Sequence, residues 1–287
     1  MGALRINYNY QADFTHANLQ KTEYNLNKSL ERLATGHRIN RAADDAAGLY
    51  IADQLKTYAV SLEQGTRNAQ DGVSIAQIAQ GSLAEVYNIL NEVKAKAIQA
   101  ANDSNDDTAR KQIQQDINKL VDAISKIFQD TEFNGLKIFS SGEAKTFTIH
   151  YGGRVNQELA IQVATAGAKA GETSNDASVV TIGATAYNIA VTTQASANET
   201  VSTVDALIKA VDDVAAKFGS YQIELEKIIS NNETQRINTQ EAESRIRNVD
   251  MAKEMSNFTR YQILMQSGTA MLAQANQVPQ MVLQLIR

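Results

Sequence analysis

Step from Gly48 by alternating threes and fours and sixteen positions come up without a charge. They are Gly48, Ile51, Leu55, Tyr58, Leu62, Gly65, Ala69, Gly72, Ala76, Ala79, Leu83, Val86, Leu90, Val93, Ala97 and Ala100. An apolar a/d repeat of this length demands a long helix packed along a seam. A straight helix over 48–100 is about 80 Å long at about 1.5 Å per residue. Proline breaks helix interiors, and the chain has only one among 287 residues, Pro279 near the C-terminus. Gly65 and Gly72 allow close approach of a neighbour but weaken the helix, so a break or bend is allowed near either. Leu55, Leu62, Leu83, Val86, Leu90 and Val93 are the large side chains of the expected bundle seam.

Helices are expected at both ends and strands in the middle, which makes the fold mainly α. Asp103-Ser104-Asn105-Asp106-Asp107 reads as a loop and helix cap. Ile113, Ile117, Leu120, Ile124, Ile127 and Phe128 then share one helical face, and Asn134-Gly135 is a turn. Phe147, Ile149 and Tyr151 alternate before Gly152-Gly153, and Leu159, Ile161 and Val163 alternate after it. That pattern is a β-hairpin. Val180 and Ile182, then Gly183, then Tyr187, Ile189 and Val191 suggest a second. The Ser/Thr/Ala/Gly-rich stretches 166–178 and 192–203 read as exposed loop. Helical periodicity returns near Thr203 through Val211, Val214, Phe218, Tyr221, Leu225 and Ile228. Asn232, Gln235 and Thr239 then occupy seam positions, where polar groups fix register.

The C-terminal stretch carries two seams. Phe258, Tyr261, Met265, Leu272 and Ala275 follow one, and Leu264, Met271, Val278, Val282 and Leu285 follow another, offset from it. A helix apolar on two faces cannot satisfy both within one pair of helices. Leu19, Leu26, Leu30 and Leu33 of the N-terminal helix supply one partner. The other seam points to packing between copies.

Chemistry is sparse. Without cysteine there are no disulfides, thiolate metal sites or thiol nucleophiles. His16, His37 and His150 are far apart and lack metal-ligand spacing. Asp44-Asp45 has no acid/base partners and reads as helix-start carboxylates. No phosphate loop or nucleophile elbow occurs, so no enzyme, cofactor or metal is expected. A net charge of −5, with acids and bases interleaved, argues against nucleic-acid binding. Residues 261–286 hold no charge, but six glutamines interrupt them, which suits a protein seam better than lipid. The N-terminus shows no apolar h-region, so composition alone points to the cytoplasm.

Residues 30–49, Leu-Glu-Arg-Leu-Ala-Thr-Gly-His-Arg-Ile-Asn-Arg-Ala-Ala-Asp-Asp-Ala-Ala-Gly-Leu, resemble the N-terminal signature of bacterial flagellins. So do residues 66–77, and Thr131-Glu132-Phe133-Asn134-Gly135 is similar to the family's Phe-Asn-Gly turn. Residues 243–252 and 271–280 resemble the C-terminal signature. The resemblance covers roughly 1–140 and 203–287 in the family's order.

It implies a short filament subunit that polymerises with copies of itself for motility. A discontinuous terminal coiled-coil domain, 1–43 with 250–287, would form the filament core. A bundle domain, 44–249, would carry the hairpins of about 140–200 on its surface. The resemblance further implies type III export without a cleaved signal, which replaces the cytoplasmic expectation with an extracellular filament. An export chaperone, the export apparatus, the filament cap and the hook-junction proteins would be partners. Two departures stand out. Glu224 occupies the position of the family's arginine in Tyr221-Gln222-Ile223-Glu224-Leu225-Glu226. On the long helix, Glu92 and Lys96 replace an arginine and a leucine that a Toll-like immune receptor reads in many flagellins, so receptor recognition should be weak or absent. A hook–filament junction protein and a secreted adhesin with a helical stalk are the rival expectations.

Overall fold

The computed structural model describes residues 8–140, 144–171, 177–183 and 185–285, with side chains as far as Gln277. Five helices carry the chain: α1 (Tyr10–Thr35), α2 (Ala46–Ala100), α3 (Asp107–Asp130), α4 (Gln194–Arg247) and α5 (Met251–Leu285). Between α3 and α4 lie β1 (Glu132–Phe133), β2 (Leu136–Lys137), β3 (Lys145–His150), β4 (Glu158–Val163), β5 (Ala166–Lys169), β6 (Ser178–Ile182) and β7 (Thr185–Ile189). The chain divides into two compact units, residues 1–58 with 238–287 and residues 59–237. This division falls inside α2 and α4. The boundaries expected from the sequence, near 43 and 250, lie beside the breaks between helices.

The central unit builds the core. From Leu62 onward the α2 repeat is buried as its spacing requires: Leu62, Leu83, Val86, Leu90 and Val93 are all at most 1% exposed. They pack in one cluster with Ile117, Val121 and Ile124 of α3, Leu207, Val211 and Phe218 of α4, and Ile161, Val180 and Ile189 of the strands. Phe139 sits edge-on to both Phe128 and Phe218, at 5.2 and 6.4 Å between ring centroids. Earlier in α2 the phase slips: Ala52 is buried and Ile51 is 49% exposed. Leu55 is half-buried and belongs to the terminal unit, not to the bundle seam.

α2 runs unbroken through both glycines. Their small size serves packing. A Cβ on Gly65 would run into the carbonyl of Tyr151 at the end of β3, and one on Gly72 would lie 3.0 Å from Leu225 and 3.2 Å from Ile149. The hairpin thus lies directly on the helix, and Asn68 and Asn232 fasten it by donating to the carbonyls of His150 and Tyr151 at 2.8 and 2.7 Å.

Both expected hairpins are present. β3 pairs antiparallel with β4, placing Phe147 opposite Ile161, and β6 pairs antiparallel with β7. Asn134 and Gly135 both take positive φ, 50° and 74°, as a two-residue hairpin turn between β1 and β2 requires. The two expected loops need correction. Within 166–178, β5 adds an outer antiparallel strand to β6. Its Ala-Gly-Ala-Lys has no large apolar residue to mark it. Within 192–203, α4 begins at Gln194. Thr193 and Ser196 cap it reciprocally: Ser196 N donates to Thr193 Oγ1 at 3.2 Å, and Thr193 N to Ser196 Oγ at 3.0 Å. Small residues then continue the buried face through Ala197, Thr200 and Val204.

A buried polar network joins α3 to the three-stranded sheet. Gln114 accepts from Val191 N at 2.7 Å and donates to Asn118 Oδ1 at 2.8 Å. Asn118 Oδ1 also accepts from Ser178 Oγ at 2.7 Å. Each group has a partner, so burial carries no unsatisfied penalty here.

Candidate assembly interface

In the terminal unit, α1 packs along α5. Asn9 caps α1, accepting from Ala12 N at 3.1 Å, and its amide donates to the Ala275 carbonyl at 2.9 Å. Near the middle, Gly268 admits Leu19, whose Cδ1 would lie 3.0 Å from an added Cβ. At the other end Glu254, 7% exposed, accepts from the Ser29 hydroxyl and lies 3.9 Å from Arg32. Three attachments at separated points hold these two helices in register.

A short joint connects α1 to α2 and α4 to α5. Gly36 takes the left-handed conformation that ends α1, with its N–H on the Arg32 carbonyl. His37 then bridges Asn248: Arg38 N donates to the Arg247 carbonyl at 2.7 Å, and Val249 N to the Gly36 carbonyl at 3.0 Å. The acidic pair has structural work. Asp45 caps α2 by accepting from Gly48 N at 2.9 Å. Asp44 meets Lys28 at 2.6 Å and accepts from the backbone of Asn40 and Arg41. The Lys28 hydrogen bond holds the Asp44 carboxyl below the usual carboxylate range, against a smaller opposing effect of burial.

The two seams of α5 part company here. Phe258, Tyr261, Met265 and Leu272 are half-buried, and Ala275 is buried. Leu264 and Met271 stand 47% and 58% exposed. The side chains of Val278, Val282 and Leu285 lie outside the described residues. On α1, Leu19, Leu26 and Leu33 are half-buried on the side that carries Ser29. Leu30, expected with them, is 54% exposed, because its position falls at the edge of that face. The sequence reading also passed over a second α1 stripe. Tyr10, Phe14 and Tyr24 are 69%, 58% and 66% exposed, on the side opposite the leucines. Their spacing of 4 and 10 residues was the available signal. Glu254 was missed as well, since a charged residue in a seam reads as surface. In the central unit, Glu92 is exposed and Lys96 is ion-paired with Asp116 at 2.9 Å.

The described residues contain no cluster of three or more metal-ligating side chains, and no described helix is long and apolar enough to cross a membrane. In the terminal unit, residues 261–277 of α5 carry no charge, and α1 and α5 each expose large apolar side chains beyond those that meet within the chain. Such a chain is a self-assembling structural subunit. Its residues 6–144 match the bacterial flagellin N-terminal helical region and 201–286 the bacterial flagellin C-terminal helical region. The chain belongs to the flagellin family, the structural subunits of the bacterial flagellar filament. It is 38% identical to a flagellin of Bacillus subtilis over 99% of this chain and 100% of that one. A flagellin of Halalkalibacterium halodurans is 37% identical over 98% and 99%, and one of Treponema pallidum is 36% identical over the same shares.

Proposed function

We propose that the terminal pair, residues 1–43 with 250–287, is the polymerising part of this flagellin, and that 44–249 forms the bundle that carries the hairpins outward. The observation that carries this reading is the exposure of Leu264 and Met271 on a charge-free stretch of α5. Burying what remains exposed of such side chains between copies drives association, at about half of the roughly 1.5–3 kcal/mol that burial from full exposure contributes. The assembly residues are Leu19, Leu26, Leu30 and Leu33 with Phe258, Tyr261, Leu264, Met265, Met271, Leu272, Val278, Val282 and Leu285. In the free subunit the terminal helices lack part of their partners and fray readily. A chaperone that covers α5 before export suits this chemistry, as do type III export, an extracellular filament, and a cap and hook-junction proteins as neighbours.

Negative-stain electron microscopy of purified protein with salt and short filament seeds tests the reading. Long uniform tubes are expected, with both termini protease-resistant in the tubes and trimmed in the monomer. Particles that never elongate would overturn it in favour of a junction protein or adhesin.

Immune recognition is a second consequence. Glu92 puts a negative charge where a receptor built for arginine expects a positive one, and Lys96 is engaged with Asp116. Reporter cells bearing the Toll-like receptor should respond weakly or not at all. A robust response at low protein concentration would end that part of the proposal.

A further inference from the structure

β5 brings Ala-Gly-Ala-Lys to the edge of its sheet, with no bulky side chain before Lys169. Beside it, within the central unit, lies a cavity of about 510 Å³ walled by β5, the C-terminal half of α3, β2 and the start of β3. That is the size of an ordinary small-molecule site. We propose that this cavity binds a small sugar phosphate, with Lys137, Lys145, Lys169 and the Ala168 amide around the phosphate.

Charge selects the anion. The three lysines line the cavity and no described carboxylate does. Elsewhere in this unit Lys94 and Lys96 are paired with Asp205 and Asp116, at 2.6 and 2.9 Å. The cavity lysines have no such partner among the described residues. Lys145 is fixed in place: its Nζ donates to the Lys137 carbonyl at 2.7 Å and lies 4.8 Å from the centroid of the Phe147 ring. An ammonium has three donors, so the carbonyl leaves others for a ligand. The C-terminal end of α3 opposes an anion with only about half an elementary charge. Asp130 and Glu132 flank that end in sequence and do not line the cavity.

The strand edge adds backbone groups. Gly183 N donates to the Thr165 carbonyl at 2.7 Å, so ladder alternation turns Gly167 and Lys169 toward β6 and Ala166 and Ala168 away from it. The Ala166 N–H is taken by the Ser140 carbonyl at 3.0 Å. Ala168, which lines the cavity, thus presents a donor and an acceptor on the free edge. A phosphate ester carries about −1.5 to −2 charge at pH 7 and suits the lysines and this N–H. Sugar hydroxyls suit the Ala168 carbonyl, Ser125 and Gln129, which an apolar carrier would leave unpaired. Phe128 and Phe139 supply an apolar wall.

The test titrates isotope-labelled, full-length monomer with glucose-6-phosphate at low salt and follows amide shifts by NMR. Glucose and inorganic phosphate are titrated in parallel. Saturable shifts centred on the Gly167 and Ala168 amides are expected, with glucose inert and inorganic phosphate at least about fivefold weaker. K145Q should weaken binding at least about tenfold. K137Q/K169Q changes two exposed side chains, so it should keep wild-type circular dichroism while weakening binding as much. No saturable binding, shifts centred elsewhere, inorganic phosphate as tight as the sugar phosphate, or wild-type affinity in K137Q/K169Q overturns the proposal. The site lies wholly within residues 59–237, so its failure leaves the polymerisation reading standing.

Discussion

The two units of this subunit handle apolar surface in opposite ways. In residues 59–237 the α2 seam closes completely, and Leu83, Val86, Leu90 and Val93 are at most 1% exposed. In the terminal unit the buried set is small and partly polar, Ser29, Ile39, Ala52, Glu254 and Ala275. Tyr10, Phe14, Tyr24, Ile263 and Met271 remain half or more in water. One unit has a core of its own. The other has one side of a core and waits for neighbours to supply the rest. Stability and assembly should therefore separate by region.

The largest expected effect follows from that separation. Leu90→Ala opens a cavity in a closed seam and should cost about 2–5 kcal/mol. Thermal melting of the bundle would drop by many degrees. Met271→Ala removes a side chain that is 58% exposed and should leave monomer melting unchanged while raising the critical concentration for growth. Equal effects of the two substitutions on melting would break the comparison.

A sharper contrast lies within α2 itself. Gly65→Ala drives a methyl into the Tyr151 carbonyl, backbone that cannot swing aside. The expected loss is about 1–3 kcal/mol. Gly81 is exposed and meets nothing within 4 Å of an added Cβ. Gly81→Ala should therefore stabilise the helix by about 0.5–1 kcal/mol. Chemical denaturation of the two variants reads the difference in sign. If both destabilise alike, the glycines of α2 answer to something other than the hairpin.

Much of this was legible because periodicity is local. The α2 seam, the capped start of α3, the Asn134-Gly135 turn and both hairpins each announce themselves within one contiguous stretch of chain. Missed features depended on long-range partners or lacked large side chains. β5 is Ala-Gly-Ala-Lys and is defined by its pairing with β6. The start of α4 has small residues on its buried face, which read as loop until Thr193 and Ser196 are seen to cap each other. Two seams on α5 were visible, but which one meets α1 depends on Ser29 and Glu254, 225 positions apart. Periodicity cannot supply that register. The aromatic stripe of α1 was spaced plainly enough, yet the leucines opposite it already accounted for a helical face.

The smallest expected effect belongs to the joint of the terminal unit. Asp44 is held below its ordinary carboxylate pKa, first by the Lys28 hydrogen bond. A carboxyl lowered on folding contributes its stabilisation above the unfolded-state value, about 3.9. That contribution fades as pH falls through the lowered folded value. D44N should then melt slightly below wild type at pH 6–7, and the gap should close under strong acid. The gap should also shrink in high salt, because Lys28 is about a third exposed and screening reaches it. Lys28→Met gives an independent check. Removing the cation should return the Asp44 carboxyl toward its ordinary range, so its titration by NMR moves upward. If Asp44 titrates at the same pH in K28M, the backbone donors at Asn40 and Arg41 hold it down, and the joint owes its acid response to the turn and not to the ion pair.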